Sequence, residues 1–111
     1  MKYHVFKFGG ASVRQASAIR NVASIVRPYA DRRLVVVVSA MGKTTNALER
    51  ILELRKAGKN YTEELEALKQ YHFNLMTDLF PGDHPAWAKV GETFDQLPAL
   101  MQDGLLPDQL Y

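Results

Sequence analysis

The 111-residue sequence predicts an α/β fold that opens with a parallel βαβ unit and continues as a helical segment. Three observations carry this reading. Residues 3 to 8 are rich in aromatic and β-branched types and run into Gly9 and Gly10, as a strand ending in a tight turn would. Leu34 to Val38 is an unbroken apolar run, and a strand with no polar face is expected to be buried on both sides, as in a parallel sheet covered by helices. Between them Ile19, Val22, Ala23 and Val26 recur at helical spacing, which predicts an amphipathic helix from residue 13 to about Arg27-Pro28. The connection is long enough for a right-handed crossover, so the two strands run parallel and their carboxyl ends lie on one edge.

The elements after the second strand follow from the same spacing rules. A helix begins near Thr44 and stops at Ala57-Gly58, with Leu48, Ile51, Leu52 and Arg55 at its buried and rim positions. Leu65, Leu68, His72, Leu75, Met76 and Leu79 give a second helix from about Thr62 to Phe80, closed by Pro81-Gly82. Trp87, Val90, Phe94 and Leu97 give a third, with Pro98 either kinking it or opening a short successor whose stripe continues through Met101. These stripes read as core. Glu63, Glu64 and Glu66 read as a solvated face, with Glu66 near Lys69 and Gln70. Leu105 to Tyr111 reads as the start of a further helix with Pro107 in its first turn and no closing signal, so the chain is expected to continue. The organisation is one domain or part of one: residues 1–57 as a βαβα unit carrying two polar loops, and 58–111 as the helical segment.

Composition narrows the functional classes. The formal net charge of +2 comes from cations spread along the chain, and the tightest group, Arg27, Arg32 and Arg33, straddles an expected loop. No basic stripe with interleaved aromatics is present, so nucleic-acid binding is not expected. The chain has no cysteine, which excludes disulfides and thiolate metal sites. His4, His72 and His84 are too scattered for a ligand set, and no metal-ligating residues are assigned. No apolar run approaches the length of a membrane span and no signal peptide is evident, so a cytoplasmic protein that does not engage membranes is expected.

The polar loops carry the chemistry. Period-2 alternation puts Lys7 on one face of the first strand with Tyr3 and Val5, and a lysine at the end of a buried strand calls for a negative partner. Gly9 and Gly10 let the backbone turn sharply and bring N–H groups close to a ligand, and Ser12 is placed to cap the helix that follows. Phosphate is the natural guest. The second loop, Ser39 to Asn46, offers hydroxyls, a glycine, Lys43 and an amide at the mouth of a helix, although Thr44 or Thr45 could serve merely as an N-cap. Both loops should face a common crevice at the carboxyl edge. Gly42-Lys43-Thr44 also resembles the end of a nucleotide-binding P-loop, but that pattern needs a glycine where Val37 stands inside the strand.

Lys7-Phe8-Gly9-Gly10-Ala11-Ser12-Val13, followed at the matching distance by Val37-Val38-Ser39-Ala40-Met41-Gly42-Lys43-Thr44-Thr45-Asn46, resembles the amino end of the aspartate kinases, in the amino acid kinase superfamily. The likeness is clearest over residues 3 to 54. It implies a three-layer αβα sandwich of which this chain forms the parallel βαβ start. The implied reaction moves the γ-phosphoryl group of ATP, with Mg2+, to the side-chain carboxylate of L-aspartate, giving 4-phospho-L-aspartate at the head of lysine, threonine and methionine biosynthesis. Carried over residue by residue, Lys7 is the catalytic contact to the transferring phosphoryl group. Lys7, Phe8, Gly9, Gly10 and Ser39 bind ATP phosphate, and Ser12, Ser39 and Thr45 line the aspartate site. Phe8 and the Ser12-Val13 pair point to the aspartate branch; glutamate, acetylglutamate and UMP kinases share the fold. Threonine is usual where this chain has Ala11. The family's later glutamate, nucleotide-base lobe and regulatory domains lie past Tyr111, so the 111 residues alone are expected to be inactive. A non-catalytic binding module is the alternative; a homo-oligomer is the expected assembly.

Overall fold

The computed structural model describes residues 2–102 and divides the chain into two compact units, Met1–Thr45 and Asn46–Tyr111. In the first unit, strand β1 (His4–Phe8) pairs in parallel with β2 (Leu34–Val38), in a register that runs from His4 opposite Leu34 to Phe8 opposite Val38. This is the predicted βαβ unit, with helix α1 (Ala16–Val26) in the crossover.

The crossover starts differently from expectation. A 3-10 turn, Gly10–Val13, precedes α1, and Gly9 stands before it in extended backbone. The Ser12 amide donates to the Gly9 carbonyl at 3.0 Å, so Ser12 belongs to this turn and does not cap α1. The residue before α1 is Gln15, also extended (φ −152°, ψ 165°), and no side chain caps the helix. Gly10 takes up the turn first, which delays the helix by one short element. At the other end Pro28 lies in a second 3-10 turn, Arg27–Tyr29: Arg27 before it still holds helical geometry (φ −53°, ψ −43°), and the proline, with no amide to donate, ends the α ladder.

Alternation along β1 is clean. Phe8 is buried and His4 and Phe6 are half-buried, joined to Tyr29 by ring contacts of 5.0 Å from His4 and 5.1 Å from Phe6. Tyr3, Val5 and Lys7 occupy the opposite, exposed face. The expectation for β2 does not hold: Val35, Val36, Val37 and Val38 are 43%, 39%, 47% and 53% exposed. The reason is a shortage of layers, since this unit has a single α-helix for two sheet faces and its sheet has two strands.

The second unit is helical. Its helices are α2 (Thr44–Lys56), whose first two residues fall in the preceding unit, α3 (Thr62–Leu79) and α4 (Ala86–Gln102). Ile51, Leu65, Leu68, Phe94 and Met101 form its core, with Leu48, Leu52, Val90 and Leu97 packed around them. Burying one such aliphatic side chain contributes about 1.5–3 kcal/mol. Gly58 stops α2 in the left-handed region (φ 69°), where the Lys59 and Gly58 amides donate to the Leu54 and Arg55 carbonyls at 2.9 and 3.1 Å, the paired bonds of a Schellman cap. Asn60 opens α3 by accepting the Thr62 amide at 2.9 Å. Pro98 lies inside α4, which continues to bury Met101, so no separate successor helix forms. Arg55, expected at the rim, donates to the Met101 carbonyl at 3.1 Å and favours the carboxyl end of α4. Lys69 lies 3.9 Å from Asp95, across on α4, while Gln70 donates to Asn74 at 2.7 Å. The helix expected over Leu105 to Tyr111 lies outside the described residues.

Candidate functional site

Two loops leave the carboxyl ends of β1 and β2, and the parallel register brings them to one edge of the sheet. They are bonded to each other. The Ser39 amide donates to the Phe8 carbonyl at 2.9 Å, extending the strand pairing by one step, and the Gly42 amide donates to the Gly10 carbonyl at 3.1 Å. Close packing goes with the second bond: a Cβ on Gly10 would sit 2.8 Å from the Gly42 carbonyl oxygen and 3.2 Å from that of Ala40. Only glycine allows this approach.

The second loop is braced in turn. Gly42 has φ 54°, a left-handed conformation that favours glycine. Thr44 is buried, and its hydroxyl and amide donate to the Met41 carbonyl at 2.6 and 3.0 Å. Thr44 therefore closes the turn that delivers Gly42. Lys43 and Thr45 are exposed beside it.

Of the residues singled out in the sequence, the structure joins Phe8 to Ser39 and Gly10 to the Ala40–Gly42 segment through the backbone, and Gly9 to Ser12 through one amide. The Ser12, Ser39 and Thr45 residues are exposed. Lys7 pairs in register with Val37 and is exposed, with no ion-pair partner among the described residues. Its position thus corrects the desolvation argument: on this open face a lone ammonium is solvated and carries little penalty. Lys7, Gly9 and Gly10 follow one another closely along the chain at the end of β1, where the paired turn begins. Among the described residues no group of three or more His, Asp or Glu could hold a metal ion. Sequence reasoning missed the parts played by Gly42 and Thr44. A glycine four residues past the end of the valine strand, with a β-branched hydroxyl two positions after it, was the available signal.

The model of the amino acid kinase family matches residues 2–108. The chain belongs to the amino acid kinase family. It is 38% identical over 79 residues to aspartokinase 2, chloroplastic, of Arabidopsis thaliana, covering 68% of this chain and 14% of that protein. It is 31% identical over 103 residues to bifunctional aspartokinase/homoserine dehydrogenase 2 of Escherichia coli K12, covering 89% of this chain and 13% of that one. The chain thus spans about a seventh of the length of these relatives. The crystal structure of Clostridium acetobutylicum aspartate kinase superposes with a TM-score of 0.76 over 97% of this chain and 25% of its own, at 20% identity, which establishes the amino acid kinase fold. Among the described residues no helix is long and apolar enough to cross a membrane.

Proposed function

We propose that these residues form the phosphate-facing amino-terminal part of an ATP-dependent aspartate kinase. The observation that supports this most is the bonded loop pair at the carboxyl edge, Gly42 to Gly10 at 3.1 Å, in a chain whose relatives are aspartokinases. In the proposed reaction a side-chain carboxylate oxygen of L-aspartate attacks the γ-phosphorus of ATP. The bond from that phosphorus to the β,γ-bridging oxygen breaks, and ADP leaves with the electron pair. The acceptor is already ionised at neutral pH, so no general base is needed. The difficulty is bringing two anions together and supporting a loose transition state, which fixed positive charge and aimed amides do.

In this reading Lys7 meets the transferring phosphoryl group, and Phe8, Gly9, Gly10 and Ser39 shape the ATP phosphate site with backbone groups and a hydroxyl. Ser12, Ser39 and Thr45 face the aspartate. Magnesium would accompany ATP through the phosphates and would neutralise part of their charge. Ala11 removes a hydroxyl contact from the turn without touching the lysine and glycine roles. The product would open lysine, threonine and methionine biosynthesis. A cytoplasmic homo-oligomer belongs to the same proposal, although the Arabidopsis thaliana relative is chloroplastic by name.

The test is aspartate-dependent ADP release, with hydroxylamine trapping of the acyl phosphate. It should be absent from the 111 residues alone and present in the longest form of the protein that carries them. Turnover with glutamate, N-acetylglutamate or UMP in place of aspartate would move the protein to another branch of the family. Release of ADP by the 111 residues themselves would overturn the assignment of the remaining site to other parts of the protein.

A further inference from the structure

The two glycines of the first loop are glycines for different reasons. A Cβ on Gly9 would meet nothing within 4 Å, and its backbone (φ −79°, ψ 176°) suits any residue. Neither space nor conformation requires glycine there. Gly10 is the reverse case: its Cα faces the Gly42 and Ala40 carbonyls too closely for a side chain, and its carbonyl accepts the Gly42 amide. Gly42 reaches that position through a left-handed turn that Thr44 braces at Met41.

We propose that Gly42 is a positioning residue for the phosphate loop. Its turn and its amide clamp Gly10, which sets the Gly9 amide at the end of β1 and leaves the open space at the Gly9 Cα for a phosphoryl group. Gly10 then lacks a side chain because of the clamp and offers the phosphate site its backbone alone, while the missing Cβ of Gly9 serves the ligand. The identity of that ligand rests on the kinase reading; the clamp does not. The second loop acts on chemistry through the first.

The discriminating substitutions are Gly42→Asn and Gly42→Val, with Gly10→Ala and Gly9→Ala beside them, in the longest form of the protein that carries residues 1–111. Asparagine tolerates the left-handed region and keeps the amide, whereas valine resists it. Amide hydrogen exchange at position 42 reads the clamp, and titration with MgATP reads the phosphate site. Gly42→Asn should keep protection of that amide, and Gly42→Val should lower it by about tenfold or more, with weaker MgATP binding alongside. Gly10→Ala should do the same while the Ser39 amide stays protected. Gly9→Ala should leave protection at position 42 unchanged and weaken MgATP alone. If Gly10→Ala does not fold, the Gly42 pair decides. Equal protection in Gly42→Val and Gly42→Asn would overturn the clamp. Loss of protection at position 42 with MgATP affinity unchanged would overturn its positioning role. An unsubstituted protein that binds no MgATP would instead overturn the kinase reading, and the exchange data would still show whether the clamp exists.

Discussion

The helices of the carboxy-terminal unit bury their apolar residues against one another, whereas the strands of the amino-terminal unit leave most of theirs in contact with water. Ile51 is 2% exposed at the centre of a cluster drawn from α2, α3 and α4. Val37, in the most apolar run of the chain, is 47% exposed. The difference teaches that an apolar pattern states a demand for cover without saying what supplies it. A helical stripe is one-sided, and three helices in succession can satisfy one another. A strand apolar on both faces needs two layers, and this unit has one α-helix.

The substitution expected to have the largest effect attacks the closed side of the comparison. Ile51→Ala should lower stability by about 2–5 kcal/mol, because a cavity remains where the side chain was. Urea unfolding followed by circular dichroism checks it, and a loss below about 1 kcal/mol would mean that the helical core repacks freely. On the open side, function should outweigh stability. Lys7→Met in the longest form of the protein should cost about 2–4 kcal/mol in turnover, with unfolding unaffected, since the ammonium is exposed. A raised Michaelis constant with unchanged turnover would reduce Lys7 to a binding contact.

Much of the fold was legible because it rests on periodicity and punctuation. The strand pair, α2 with its Gly58 stop, and α3 ending before Pro81 all follow from residues that allow few alternatives. The start of α1 was not legible from Ser12, whose capping chemistry is local and yields to a turn already started by Gly10. Continuation of α4 past Pro98 depends on Met101 reaching the core, a tertiary gain that propensity does not contain. At the candidate site, the glycines and hydroxyls were visible as types. The contact between Gly10 and Gly42 was not, because it joins positions 32 residues apart across the sheet edge.

Two smaller effects sharpen the comparison further. Ala11→Thr, at an exposed position of the 3-10 turn, should change kcat/KM by less than about tenfold, or 1.4 kcal/mol. A larger gain would show that the position takes part in the chemistry. Val37→Thr should shift monomer stability by only about 0.5 kcal/mol, because half the side chain is already hydrated. The same substitution should weaken self-association, which the exposed valines and open strand edges are expected to drive in the 111-residue chain. Sedimentation at several concentrations measures it, and a monomer across the whole range would show that the open face attracts no second copy.

The parallel register also sets an order of events during synthesis. Each residue of β1 pairs with one 30 positions later, so β1 waits for its partner while that length of chain is made. At typical elongation rates the wait is about 2–6 s, far longer than α1 needs to form. Gly42 follows β2, and until it emerges Gly10 has nothing to lock against. The loop that would receive phosphate is therefore encoded almost first and completed last within its unit, after the strand beneath it has already found its place.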